Sequence, residues 1–273
     1  MTALAHFGDR AVLELAARLQ SPGRDIHSRD IHSRDIRSRT RAARALAVIA
    51  TPLCVKTVLD CLDPAQPGLE YQLLKTLSKL RNRESGLVFP AERVRAVLRR
   101  ATCSYWEFVQ IQALLPANEG EGTALLSRAV GEKCEENLKR IFRLLALIHP
   151  AQDLYNAYLG YVSGNRADGG SAIEFLENVL PRAEREVIVP LLDATTPGLA
   201  VEAGSRHFGT PLADFDQAVA HILQGPDPWL RACVTYSLAE NSTPATRAWL
   251  AQLAEDADPL VRETAMAVVI RTG

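Results

Sequence analysis

Apolar residues along this chain recur at intervals of three and four and almost never in strict alternation. Val55, Val58, Leu59 and Leu62 form one such stripe, and Leu69, Leu73, Leu74, Leu77 and Leu80 form the next. That spacing puts the apolar positions on one face of an α-helix. Proline separates the stripes. Of the fifteen prolines, eight stand directly before apolar-periodic segments: Pro52, Pro90, Pro150, Pro181, Pro211, Pro228, Pro244 and Pro259. In a first turn the missing N–H costs nothing, whereas inside a helix proline costs about 3 kcal/mol. Thr51, Thr210, Asp227, Thr243 and Asp258 each precede one of these prolines and are of the N-capping type. The pattern predicts about fifteen or sixteen short helices, joined by short turns and without strands.

Taken in order, the segments pair as 9–20 with 39–50, 52–63 with 68–81, 122–130 with 134–149, and 150–162 with 171–180. Three more pairs follow, 181–193 with 199–208, 211–224 with 229–241, and 244–255 with 260–271, and 90–115 is a long or broken segment. Internal repetition distinguishes a stack of such pairs from a bundle. Asp227, Arg231, Val234 and Leu238 recur as Asp258, Arg262, Ala265 and Val269, and near the start as Asp35, Arg39, Ala42 and Leu46. The Asp suits a helix N-terminus, where its charge complements the dipole. The residues seven and eleven later share one buried stripe, and the smaller of them lets helices approach closely. The Arg, four residues on, lies in the first turn, within reach of a neighbouring turn's carbonyls or Asp.

This D-x-x-x-R spacing resembles the bacterial form of the HEAT repeat. The resemblance implies an all-α, right-handed α-α superhelix, a HEAT-like solenoid of about seven or eight helix pairs, forming one domain over 1–273. Two central stretches narrow it. Residues 71–81 read YQLLKTLSKLR, and 141–150 (IFRLLALIHP) lead through 153–158 (DLYNAY) to 172–180 (AIEFLENVL). They look like the HEAT region of bacterial proteins that join an ADP/ATP-carrier-like transporter to cytoplasmic HEAT repeats. That likeness implies a non-enzymatic interaction or regulatory module beside a membrane partner, although this chain has no transporter segment.

Composition supports a folded chain: 47% of residues are hydrophobic and 23% charged, so global disorder is excluded. No apolar run approaches the roughly 18–20 residues of a membrane span, and residues 1–10 do not read as a signal peptide. The five cysteines are an odd count and contain no C-x-x-C. A reducing cytoplasmic location follows, with neither a metal nor another cofactor expected. The formal charge of −1 is a cancellation. Residues 1–143 hold 23 basic and 16 acidic side chains, a net +7, and residues 144–273 hold 8 and 16, a net −8.

The second helix of each pair is expected to line a concave surface. In the basic half these helices offer Arg41 and Arg44, then Lys75 and Lys79, then Lys139, Arg140 and Arg143. As a set they read as an anion-binding face, against the plainer reading of solvated helix surfaces. The expected function is a scaffold that binds another protein, a transporter's cytoplasmic face being one partner the resemblance implies. The alternative is nucleic-acid binding, as in HEAT-like alkylpurine DNA glycosylases that set tryptophans and an acid beside the base; Trp106, with Tyr105 and Glu107, is the candidate cluster. A HEAT-like lyase that attaches a pigment would need an acid–Cys pair, and none is evident.

Residues 24–38 read RDIHS, RDIHS, RDIRS. In a helix a period of five turns successive isoleucines by 140°, and in a strand it alternates their faces, so neither gives an amphipathic stripe. The expectation is a mobile inserted loop made by tandem duplication, with a metal site at His27 and His32 or a recognition arm as the sharper alternatives. Lengthening a loop in this way costs only about 0.6 kcal/mol per doubling.

Overall fold

The computed structural model describes residues 8–20, 29–63, 66–84, 86–116, 120–240 and 243–272, and among them the chain forms fourteen α-helices and no strand. The helices are α1 (Gly8–Gln20), α2 (Arg29–Ile49), α3 (Pro52–Asp60), α4 (Pro67–Arg83), α5 (Ala91–Leu114), α6 (Glu121–Ile148) and α7 (Ala151–Val162). They continue as α8 (Arg166–Val179), α9 (Arg182–Leu192), α10 (Pro197–Phe208), α11 (Phe215–Gln224), α12 (Pro228–Ser237), α13 (Pro244–Leu253) and α14 (Pro259–Thr272). None of the described helices is long and apolar enough to cross a membrane.

Local chemistry starts several of them. Thr51, Thr196, Asp214, Asp227 and Thr243 each accept a backbone N–H of the following first turn, and Pro52, Pro197, Pro228 and Pro244 occupy early helical positions. Asp258 accepts the N–H of Leu260 at 2.9 Å and so opens α14 in the same way. The repeated arginines find partners of the expected kind, but Asp35 and Arg39 lie inside α2, so only Arg231 and Arg262 stand in a first turn as expected. Arg39 donates to the carbonyl of Leu19 through Nε (2.9 Å) and Nη2 (2.7 Å), Arg262 donates to the carbonyl of Asp256 at 2.6 Å, and Arg231 pairs with Asp256 at 3.1 Å. Arg231 and Arg262 each tie a helix start to the turn that follows α13, and Arg39 ties the middle of α2 to the last turn of α1.

Three expectations are corrected. Residues 29–38, expected in an inserted loop, are the first ten residues of α2. Helical hydrogen bonds run from i to i−4 whatever the side chains, so this proline- and glycine-free stretch propagates from the anchored residues 39–49 without an apolar stripe of its own. Residues 24–28, and the side chains of 29–36 including His32, lie outside the described residues. The expected break within 122–149 is absent: α6 runs unbroken through Gly131, because a lone helical glycine costs only about 1 kcal/mol. The buried residues Leu126, Ala129, Val130, Leu138, Ile141 and Leu145 line both sides of that point. The 90–115 segment, expected to be long or broken, is one long helix. Pro211 does not begin a helix; α11 starts at Phe215 behind the Asp214 cap, and the Leu212 N–H goes instead to Gln110 Oε1 at 2.8 Å.

The chain divides into two compact units. The first comprises Met1–Ala101 and Lys139–Phe175, the second Thr102–Leu138 and Leu176–Gly273. In the first, α1 packs on α2 and α3, α2 on α3 and α4, and α3 on α4. In the second, α9 packs on α10, α11 on α12, α13 on α14, and α12 also on α14. Contacts thus join next neighbours and next-but-one neighbours. Charge follows the units more closely than it follows a cut at residue 143. The first unit holds 22 basic and 13 acidic residues, a net +9, and the second 9 and 19, a net −10.

In the second unit, an acid distant in sequence caps α6. Glu240 accepts the N–H of Gly122 at 2.6 Å, the N–H of Thr123 at 3.0 Å and the Thr123 hydroxyl at 2.7 Å. Burial alone would raise the Glu240 pKa, but these hydrogen bonds outweigh it and hold the carboxyl below its usual 4.5. A depressed carboxylate contributes stability that is present above its unfolded-state pKa and is lost as pH falls through the folded-state value. Replacing Glu240 with Gln is therefore expected to lower stability by about 1 kcal/mol at neutral pH. The difference from the parent should shrink below pH 4, and denaturant midpoints measured from pH 7 to pH 3 check this.

Candidate functional site

The expected basic positions all fall in the first unit, but the fold does not treat them alike. Arg41 and Arg44 are exposed on α2, and Arg41 lines a groove of about 510 Å³ with Arg18 and Arg37. Lys75 and Lys79 are exposed on α4. Lys139 and Arg143, from α6, line a separate cavity between α4, α6 and α7. Arg140 is directed elsewhere, with its Nη2 2.9 Å from Glu70 Oε2, close enough for an ion pair though not aligned as a hydrogen bond. Glu70 is almost wholly buried, and burial raises its pKa despite the opposing charges of Arg140 and Arg100. Arg140 thus serves the interior as a counter-charge and is withdrawn from the expected binding set. One turn later, Arg143 remains at the surface.

The cavity has a volume of about 450 Å³, within the range of ligand-sized clefts. Three cationic side chains line it, Arg81 from α4 with Lys139 and Arg143 from α6, together with Phe142, Tyr155 and Tyr158. Ser78, Asn82 and Gln152 add neutral polar groups, and among the described residues no carboxylate lines it. Phe142 meets Tyr158 edge-on at a centroid distance of 5.4 Å, which fixes the aromatic wall. At the α4 surface Tyr71 brings two cations together: the Arg143 guanidinium lies 4.8 Å from its ring centroid and the Lys75 ammonium 5.1 Å. Hydrogen bonding to Arg143, reinforced by the two positive charges, lowers the Tyr71 pKa from 10.0.

Reading the sequence by charge alone missed Tyr71, Arg81, Tyr155 and Tyr158. The one-turn spacing of Tyr71 and Lys75 was a visible signal. For Arg81 there was none, because its place beside Arg143 depends on α4 meeting α6.

The aromatic–acid cluster proposed for base recognition is not available for it. Trp106 is buried, donates its indole N–H to the Val201 carbonyl at 3.0 Å and packs against Phe208 at 5.6 Å. Two of the cysteines are poor nucleophile candidates: burial pushes the Cys134 thiol up to about 12 and the Cys233 thiol up to about 11. Among the described residues no group of three or more His, Cys, Asp or Glu converges as a metal site would. Compared with known proteins, the chain matches no protein-family model, no curated protein and no solved structure.

Proposed function

We propose that this chain is a HEAT-like α-solenoid module that acts as a non-enzymatic scaffold, holding an acidic partner protein against its basic unit. The observation that carries the reading is the clustering of Lys75 and Arg143 over Tyr71, beside a cavity that three cations line. An acidic protein surface would replace water around these cations at little conformational cost, because Tyr71 already orients two of them. The solenoid part of the reading is supported by the Asp227 and Asp258 caps with their first-turn arginines, Arg231 and Arg262, and by the next-but-one packing. The partner implied by the family resemblance is the cytoplasmic face of a transporter.

The test is a double charge reversal, Lys75→Glu with Lys79→Glu. Both side chains are exposed, so stability should change by less than about 0.5 kcal/mol. Capture from lysate at about 0.1 M salt, with titration of each retained protein, should show at least tenfold weaker binding by the variant. Equal retention of the same partners by both proteins defeats the reading. Retention of nucleic acid alone would favour the alternative of a nucleic-acid-binding protein.

A further inference from the structure

The cavity between α4, α6 and α7 has a composition that ordinary surface recognition does not need. We propose that it is a binding site for a planar ring carrying a phosphoryl group. The argument rests on charge and shape together. Arg81 and Arg143 line one cavity together with Lys139, and among the described residues no acid lines it, so the cavity wall is positively charged. A phosphate monoester brings about −1.5 to −2 charges and three acceptor oxygens, and the planar fork of each arginine engages two of those oxygens at once. Phe142, Tyr155 and Tyr158 supply the complementary apolar wall, against which a ring packs edge-on or offset. Ser78, Asn82 and Gln152 offer further polar contacts. The volume of about 450 Å³ holds a ring and a phosphate with room for a short linker.

The same chemistry comes from two sources, a phosphotyrosine side chain on a protein or a free aryl phosphate. The proposal goes beyond partner binding by the α4 surface: Arg143 is common to both, but Lys75 and Lys79 do not line the cavity.

The experiment is calorimetric titration of the intact chain with phenyl phosphate, inorganic phosphate and phenol. Phenyl phosphate should bind at least tenfold more tightly than either fragment. Arg81→Ala should weaken it tenfold or more, and Tyr155→Ala should reduce it to the level of inorganic phosphate. Tyr155 is more than half exposed, so that variant should fold normally, and the ligand series on the parent chain decides the matter even without variants. A short phosphotyrosine peptide that outbinds phenyl phosphate makes the ligand a protein-borne anchor; a peptide that binds less well makes it a free aryl phosphate. Phenyl phosphate binding no more tightly than inorganic phosphate overturns the proposal. The Lys75→Glu, Lys79→Glu chain should still bind phenyl phosphate, so failure of the scaffold reading and failure of this one are separable.

Discussion

Replacing Gly204 with Ala is expected to destabilise the chain by at least about 2 kcal/mol, lowering Tm by roughly 4–8 °C. Helix propensity points the other way, since Ala in place of a helical Gly contributes up to about 1 kcal/mol. Packing decides the sign. A Cβ at Gly204 would stand 2.6 Å from Trp106 Cγ and closer still to Cδ1 and Nε1. The indole cannot retreat easily, because its N–H is held by the Val201 carbonyl and its ring rests on Phe208. Overpacking of this kind costs about 1–3 kcal/mol or more. Gly198 provides the control: it lies in the same helix with nothing near its Cβ position, so Gly198→Ala should be neutral or stabilising. Thermal unfolding followed by tryptophan fluorescence measures both. Trp106→Leu combined with Gly204→Ala should cost less than the sum of the single changes, because the smaller side chain removes the clash.

The second large effect concerns the buried ion pair. Arg140→Met is expected to cost about 3–5 kcal/mol, since it leaves Glu70 in the interior without its counter-charge. Glu70→Leu with Arg140→Met should recover most of that loss, because a buried pair can be replaced by apolar side chains at little net cost. The dependence on pH gives an independent check. Burial already raises the Glu70 pKa in the folded chain, and removing Arg140 takes away an opposing charge and raises it further. A carboxyl with a raised folded-state pKa destabilises the fold above that pKa, and the penalty disappears as pH falls and the group is protonated. The gap between variant and parent should therefore narrow on acidification from pH 8 to pH 5, in denaturant titrations. A gap that stays constant would place the cost of Arg140→Met in lost packing.

These two positions show why the site was only partly legible. Arg140 and Arg143 sit three residues apart and are the same residue type. Only the position of Glu70, seventy residues earlier, separates a structural counter-charge from a surface cation. Trp106 and Glu107 resembled a recognition cluster because nothing adjacent in sequence reveals the Val201 carbonyl that takes the indole proton. Gly204 carried no signal, since a glycine within an apolar-periodic helix reads as tolerated. The helices themselves were more legible. Thr51, Asp227, Thr243 and Asp258 cap the segments they precede, because capping involves atoms two or three residues apart. Where the helix assignment missed, at Gly131 and over residues 29–38, a local breaker or a missing stripe was outweighed by cooperative propagation from anchored helix on either side or downstream.

By itself the sequence determined an all-helical chain, where many of its helices begin, and the separation of charge that a net value of −1 conceals. Those properties depend on backbone hydrogen bonding, caps and composition, all local or additive along the chain. The tertiary structure alone decided that Arg140 faces Glu70 while Arg143 and Arg81 face a cavity, and that Trp106 leaves no room for a side chain at position 204. Burial and pairing decide those properties, and they join residues about 60–100 positions apart whose meeting no local pattern encodes.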